Sequence, residues 1–168
     1  MPLAANSPIC LLSGPRNVST ALMYSFAQRA DIRVIDEPLY GHYLRVSGAD
    51  HPGKDDVLAA MNCDGDAVIR ALLERQERVG SRRLFIKHMA HHLIDLELDF
   101  LMQTSNVFLI RDPREMLPSL THQLPDAQLA DTGLQYQWQL YSELASAGVS
   151  SAILDSRELL LDPVGFVL

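Results

Sequence analysis

The first stretch whose residues could do chemistry follows the apolar run Ile9–Ser13 and consists of Pro15, Arg16, Asn17, Val18, Ser19 and Thr20. A helix that begins here would present free backbone N–H groups and the positive end of its dipole, and both attract anions. Arg16 would add a charge, and Ser19 and Thr20 would add hydroxyl donors. The stretch therefore predicts an anion site. The alternative is an ordinary strand-to-helix turn in which Ser19 caps the helix.

The same stretch lacks part of the pattern that ATP-binding phosphate loops share. Gly14 is expected to permit a tight turn after the strand. The Walker A pattern also requires Gly-Lys before its final Ser or Thr, whereas Val18 directly precedes Ser19 here. The stretch thus resembles a phosphate loop from which the lysine of the ATPases is missing.

The second stretch, Asn106 to Leu120, repeats the order of apolar strand, charged turn and helix. Arg111 is predicted at the carboxyl end of the strand, where the ligands of open α/β sheets bind. Ser119 follows two helical turns later, so these two side chains form a second candidate anion site. The alternative is that Asp112 caps the helix while Arg111 pairs with a surface carboxylate.

The third stretch delivers Lys87 at the end of a predicted strand, followed by three histidines at positions 88, 91 and 92. The spacing of His88 and His92 suits a metal, but the glutamate of the H-E-x-x-H pattern is missing. A metal site is therefore not expected. At least two of the histidines are expected to be ordinary surface or core residues.

The fourth stretch places Asp36 and Glu37 directly after the second predicted strand. A carboxylate beside a basic anion pocket is suited to act as a general base. Glu37 is therefore a candidate to accept a proton from a bound substrate. The alternative is that it helps to cap a helix whose first turn contains Pro38.

These stretches must be positioned by short apolar strands that alternate with amphipathic helices. The predicted strands are Ile9–Ser13, Ile32–Ile35, Arg83–Ile86, Asn106–Ile110 and Ser151–Leu154. The predicted helices are Ser19–Ala30, Asp66–Val79, His91–Met102, Pro113–Gln123 and Leu129–Ala147. Pro38–Val46 is a short helix or a loop, and Ser47–Lys54 is a surface connector. The alternation predicts an α/β fold in which helices cover both faces of a parallel sheet.

The composition limits the classes of function that this chain can have. Its 168 residues favour one domain, and a net charge of −7 argues against a binder of nucleic acid or acidic membranes. No apolar run approaches the ~20 residues that span a bilayer. Two cysteines give no disulfide framework, so a reducing, cytoplasmic setting is expected. The chain ends at Leu168 in an apolar run, which predicts that a C-terminal part is missing.

The four stretches, in this order, resemble the sulfotransferase family that uses 3′-phosphoadenosine-5′-phosphosulfate (PAPS). Pro15, Arg16, Ser19 and Thr20 match that family's 5′-phosphosulfate loop, whereas Asn17-Val18 stands where Ser-Gly is usual. Arg111 and Ser119 match the spacing of its 3′-phosphate motif. The chain also looks like the sulfotransferase-like domain of plant branched-chain aminotransferase-like proteins.

The resemblance implies a P-loop-like three-layer α/β/α fold with about five parallel strands, formed as a single, C-terminally truncated domain over residues 1–168. It implies sulfuryl transfer from PAPS to a hydroxyl or amine of a small-molecule acceptor, without a metal. Arg16, Glu37 and Lys87 would be catalytic, with His88 as the other candidate base. The residues that would bind PAPS are Pro15, Arg16, Asn17, Val18, Ser19, Thr20, Arg111 and Ser119.

Two other functions stay open from the sequence: a P-loop nucleotide kinase or NTPase, and a nucleotide-binding module without catalysis. The acceptor and the oligomeric state are not indicated. Candidates to line an acceptor pocket are the aromatic residues Tyr40, Tyr43, Tyr136 and Trp138, with ordinary packing as the alternative.

Overall fold

Five parallel strands form one sheet at the centre of the computed structural model, which describes residues 6–78 and 82–162. In chain order the strands are β1 (Ile9–Ser13), β2 (Ile32–Asp36), β3 (Arg83–Met89), β4 (Ser105–Ile110) and β5 (Ala152–Asp155). Their order in the sheet is β2-β3-β1-β4-β5, with every neighbouring pair parallel. The predicted parallel sheet is therefore confirmed.

Seven α-helices are present among the described residues: α1 (Ser19–Ala27), α2 (Tyr40–Ser47), α3 (Lys54–Ala60), α4 (Gly65–Arg78), α5 (Pro113–Gln123), α6 (Leu134–Ser146) and α7 (Ser156–Leu161). Short 3-10 turns occupy Ala90–His92, Leu98–Gln103 and Leu129–Thr132. None of the described helices is long and apolar enough to cross a membrane.

Helices cover both faces of the sheet because successive strand residues point to opposite faces and both sets are apolar. Cys10 and Leu12 of β1 pack into a core with residues of α4 and α6. Leu11, between them, packs into a second core with residues of α1 and α7. The predicted three-layer α/β/α arrangement is confirmed.

The strand order places a crevice at the carboxyl end of β1. The connection from β1 to β2 moves one way across the sheet through α1, whereas the later connections move the other way and place α4 and α6 on the opposite face. Right-handed crossovers require this change of face when the direction reverses. Ligands of open α/β sheets bind where neighbouring strands send their chains to opposite faces.

The structure corrects several predicted helices. Residues 91–102 do not form an α-helix: β3 extends to Met89, and two 3-10 turns follow on either side of Asp95, whose φ is 50°. The predicted helix Leu129–Ala147 is interrupted at Gly133, which has a φ of 70°. Helix α1 ends at Ala27 rather than Ala30.

Helix α3 was not predicted, although Asp55 and Asp56 in its first turn are typical of a helix start. The predicted connector therefore ends where this helix begins, at Lys54. The predicted helix end at Val79 and the apolar run that ends at Leu168 lie outside the described residues.

Candidate active site

The loop between β1 and α1 is shaped by two left-handed residues that are not glycine. Arg16 has a φ of 59° and Val18 has a φ of 54°. Helix α1 begins at Ser19, and no side chain caps it. The proposed capping role of Ser19 is therefore wrong. The first turn contains the buried Ser19 and the exposed Thr20, and its backbone N–H groups are available to an anion.

Gly14 directly precedes a turn at Pro15 and Arg16, and its own backbone is not left-handed. A Cβ on Gly14 would lie 2.6 Å from the carbonyl oxygen of Thr132, and a Cβ on Gly133 would lie 3.2 Å from the Cα of Gly14. The two glycines therefore allow the loop after β1 to contact the segment before α6, backbone against backbone. This contact also explains why Gly133 interrupts the predicted long helix.

Two buried amides hold the loop against the ends of the strands. Asn17 Nδ2 donates to the Leu109 carbonyl at 2.8 Å. Gln137 Nε2, from α6, donates to the carbonyls of Leu12 at 3.0 Å and Leu109 at 2.9 Å. Sequence reasoning missed Gln137, although it continues the buried stripe that Leu140 and Leu144 form on α6. A polar residue within an apolar stripe was the available signal.

The two predicted anion motifs meet at this loop. Arg16 Nε donates to Ser119 Oγ at 2.7 Å, and Arg111 donates from its guanidinium to the Arg16 carbonyl at 2.8 Å. Arg111 also lies 3.7 Å from a Glu115 carboxylate oxygen, and Asp112 caps α5 by accepting from the Arg114 N–H. Both parts of the alternative interpretation, the Asp112 cap and the ion pair of Arg111, are therefore present. The contact between Arg111 and the loop is present as well. Two guanidinium groups and one hydroxyl come together here.

Lys87 and Glu37 form a charged cluster at the neighbouring strand ends. The buried Lys87 Nζ lies 2.8 Å from Asp36 Oδ1 and 2.6 Å from Glu37 Oε1. Burial disfavours the charged ammonium, but the hydrogen bonds and charges of the two carboxylates outweigh this and raise the pKa of Lys87. Glu37 has a φ of 41°, and helix α2 begins only at Tyr40 without a side-chain cap. The proposed capping role of Glu37 is therefore wrong.

The three histidines that follow Lys87 differ in their surroundings. His88 belongs to β3 and is 1% exposed, with its ring near that of Phe100. Neither of its ring nitrogens has a partner in the described structure, and burial lowers its pKa to about 4. No group of three or more metal-binding side chains occurs among the described residues. His92 is also buried, as expected for a core residue.

A cavity of about 520 Å³ lies beside the loop, and both Pro15 and Glu37 line it. It therefore joins the loop to the charged cluster, whereas His88 is absent from its walls. Two of the four aromatic candidates, Tyr40 and Tyr43, line this cavity. The other two aromatic candidates do not: Tyr136 packs against the core, and Trp138 is 69% exposed elsewhere.

Two proteins of Arabidopsis thaliana resemble this chain in sequence. Branched-chain-amino-acid aminotransferase-like protein 2 is 39% identical over 152 residues, which cover 90% of this chain and 27% of the plant protein. Branched-chain-amino-acid aminotransferase-like protein 1 is 38% identical over 153 residues, with the same coverage. The chain thus spans about a quarter of the length of these relatives.

The fold is similar to that of a sulfotransferase from Alicyclobacillus acidocaldarius, with a TM-score of 0.63 and 13% identity. The match covers 98% of this chain and 78% of that one. At this identity the likeness establishes the fold, and it agrees with the P-loop-like arrangement described above. The family model for the sulfotransferase domain matches residues 8–167. The chain therefore belongs to the sulfotransferase domain family.

Proposed function

We propose that the chain transfers a sulfuryl group from PAPS to the hydroxyl or amine of a small-molecule acceptor. The acceptor atom forms a bond to sulfur while the bond between sulfur and the bridging phosphate oxygen breaks. The products are the sulfated acceptor and 3′-phosphoadenosine-5′-phosphate (PAP), and the acceptor's proton passes to Glu37. Such a transfer depends mainly on positioning and on stabilisation of charge.

The contact between Arg16, Ser119 and Arg111 carries this proposal. These residues come from motifs about a hundred positions apart in the sequence, and the hydrogen bonds of 2.7 Å and 2.8 Å join them. The guanidinium groups offer planar donors that suit phosphate. Arg16 and the uncapped start of α1 would bind the 5′-phosphosulfate, together with the other loop residues Pro15, Asn17, Val18, Ser19 and Thr20. Arg111 and Ser119 would bind the 3′-phosphate, which PAPS has and ATP lacks.

Glu37 is a better candidate base than His88, because Glu37 lines the cavity and His88 does not. Lys87 donates to Asp36 and Glu37 through two of the three N–H groups that an ammonium carries. The third would stabilise the bridging oxygen as negative charge develops on it. The free cysteines Cys10 and Cys63 agree with the reducing, cytoplasmic setting that we propose for this reaction.

Calorimetric titration with PAP, compared with ATP and Mg²⁺, tests donor binding. We expect PAP to bind and Arg111→Ala to weaken its affinity by about 10- to 100-fold, because a charge-assisted hydrogen bond is lost. Arg70→Ala, which removes an exposed guanidinium from α4, is the control and should bind PAP like the unchanged chain. Binding of ATP in place of PAP would contradict the proposal and indicate a kinase-like protein.

The role of Glu37 is tested by Glu37→Gln. The glutamine oxygen can still accept from Lys87 but cannot take a proton at neutral pH. We expect kcat for sulfuryl transfer to fall by about 10²- to 10⁴-fold while the affinity for PAP is kept. PAP binding by a chain that transfers nothing to any alcohol or amine tested would instead indicate a non-catalytic module.

A further inference from the structure

The cavity beside the loop has an unusual balance of charge for a protein that would handle an anionic donor. The charged residues on its walls are Glu37 and Asp131, and no lysine or arginine is among its described lining residues. Lys87 pairs with Glu37 and also with Asp36, so its single positive charge is shared between two carboxylates. Asp131 has no ion pair with a lysine or arginine in the part of the chain that the structure describes. One carboxylate thus faces the cavity with its charge uncompensated.

The remaining walls are rich in ring faces. Tyr43 stacks on His92 with ring centroids 4.6 Å apart and meets the edge of His91 at 5.2 Å. Tyr40 stacks on His92 at 5.3 Å, and its hydroxyl lies 3.0 Å from His51 Nδ1. Burial lowers the pKa of His91 to about 4 and that of His92 to about 2, so both rings are neutral at pH 7.

Asp131 is held in place close to these rings. Its Oδ2 accepts from the Gln128 N–H at 2.7 Å, as part of a capping box at the start of a 3-10 turn. Its charge raises the pKa of Tyr43 and opposes the lowering of the pKa of His91, although burial is the larger cause of both shifts. Asp131 is half-buried and lines the same cavity as Tyr43 and His91.

Aromatic faces and an uncompensated carboxylate together attract organic cations, and they offer no partner to an anion. We infer that the acceptor is an alcohol that also carries an ammonium group. The ammonium lies against Tyr43 and Asp131, and the hydroxyl reaches Glu37. This inference rests on the proposed function, because it assigns the acceptor class for that same reaction. The product is a sulfate ester whose negative charge balances its ammonium group.

The test compares choline with its neutral isostere 3,3-dimethylbutan-1-ol, titrated into the full chain with and without PAP. We expect choline to bind at least about tenfold more tightly than the isostere, since a desolvated cation on aromatic rings gains on this order. Equal or tighter binding of the neutral alcohol would overturn the inference. If PAP still binds in that case, the proposed sulfuryl transfer survives and only the acceptor class is wrong. Failure to bind PAP would overturn the proposed function itself.

Two pairs of variants connect the selectivity to the named residues. Asp131→Asn keeps an oxygen that can accept from Gln128 but removes the charge, and Asp99→Asn changes an exposed carboxylate before β4. Tyr43→Leu removes the ring face, whereas Tyr43→Phe keeps it. We expect Asp131→Asn and Tyr43→Leu to weaken choline binding by about three- to tenfold. Asp99→Asn and Tyr43→Phe should leave the affinity for choline unchanged. An unchanged choline affinity in Asp131→Asn would overturn the inference.

Discussion

At the scale of single residues, Val18 adopts a conformation that its side chain opposes. Its φ of 54° and ψ of 19° place it in the left-handed region, where a β-branched residue is rare. The left-handed region costs an L-residue roughly 1–2 kcal/mol. Val18 nevertheless packs against the core between the sheet and α1. The loop geometry is thus kept by contacts around it, in the position where the family usually has glycine.

This strain predicts that glycine is more stabilising than alanine at position 18, which is the reverse of their order inside a helix. Val18→Gly and Val18→Ala lose a similar apolar contact, but only glycine adopts the left-handed conformation freely. We expect the free energy of unfolding, measured by urea denaturation, to be about 1 kcal/mol higher for Val18→Gly than for Val18→Ala. At Val57 of α3, where the backbone is helical, the same pair should show alanine as the more stable variant. A more stable alanine at position 18 would contradict the prediction.

The residues at the strand ends were predictable, whereas those that pack across the site were not. Glu37 and Arg111 directly follow apolar strands, and Lys87 lies near the carboxyl end of β3. Parallel strands deliver their carboxyl ends to one edge of the sheet. Gln137 donates hydrogen bonds to carbonyls that lie 28 and 125 positions away in the sequence. Such a contact depends on how α6 lies across β1 and β4, which no local pattern states. The left-handed geometry of Val18 was equally hidden, because its sequence neighbours do not require it.

At the scale of elements, α6 ties together the two strands on which the site is built. Its residue Gln137 is 4% exposed. One amide nitrogen of Gln137 donates to the carbonyls of Leu12 and Leu109, the second-to-last residues of β1 and β4. The loop residue Asn17 donates to the same Leu109 carbonyl. Helix α6 therefore stabilises the crevice in addition to covering the sheet.

We expect removal of the Gln137 amide to lower the free energy of unfolding by a measurable amount. Gln137→Leu keeps the bulk of the side chain but removes both hydrogen bonds to buried carbonyls, which costs about 1–3 kcal/mol. Gln139→Leu, at an exposed position of the same helix, is the matched control and should change the free energy of unfolding by less than about 0.5 kcal/mol. Chemical denaturation of both variants measures the difference. Equal stabilities would mean that the amide bonds do not hold the strands.

At the scale of the whole molecule, three neutral imidazoles couple stability to pH. Burial lowers the pKa of His88 and His91 to about 4 and that of His92 to about 2. An unfolded histidine titrates near 6.5. Between about pH 6.5 and pH 4 the unfolded chain therefore binds protons that the folded chain does not bind. Stability from these groups is complete above pH 6.5 and is lost as the pH falls.

The expected result is a free energy of unfolding that decreases from pH 6 to pH 4, by up to about 1.4 kcal/mol per pH unit for each buried histidine. His88→Leu removes one of these titrating groups and should reduce this slope by about 1 kcal/mol per pH unit. The substitution breaks no hydrogen bond, because His88 has none in the described structure. His122→Leu, at an exposed position of α5, provides the control. A slope that is the same in His88→Leu and in the unchanged chain would show that His88 is not buried in its neutral form.

The backbone contact between Gly14 and Gly133 has a consequence for directed evolution. A Cβ at position 14 would meet the Thr132 carbonyl oxygen, and a Cβ at position 133, where the backbone is left-handed, would meet the Gly14 Cα. Because both obstacles are backbone atoms, a change in a neighbouring side chain cannot make room for either Cβ. A library that seeks new acceptors should therefore fix this pair and vary the side chains on the cavity walls. Variation on the cavity walls tests the proposed acceptor pocket, whereas a side chain at either glycine would disrupt the contact between the loop after β1 and the segment before α6.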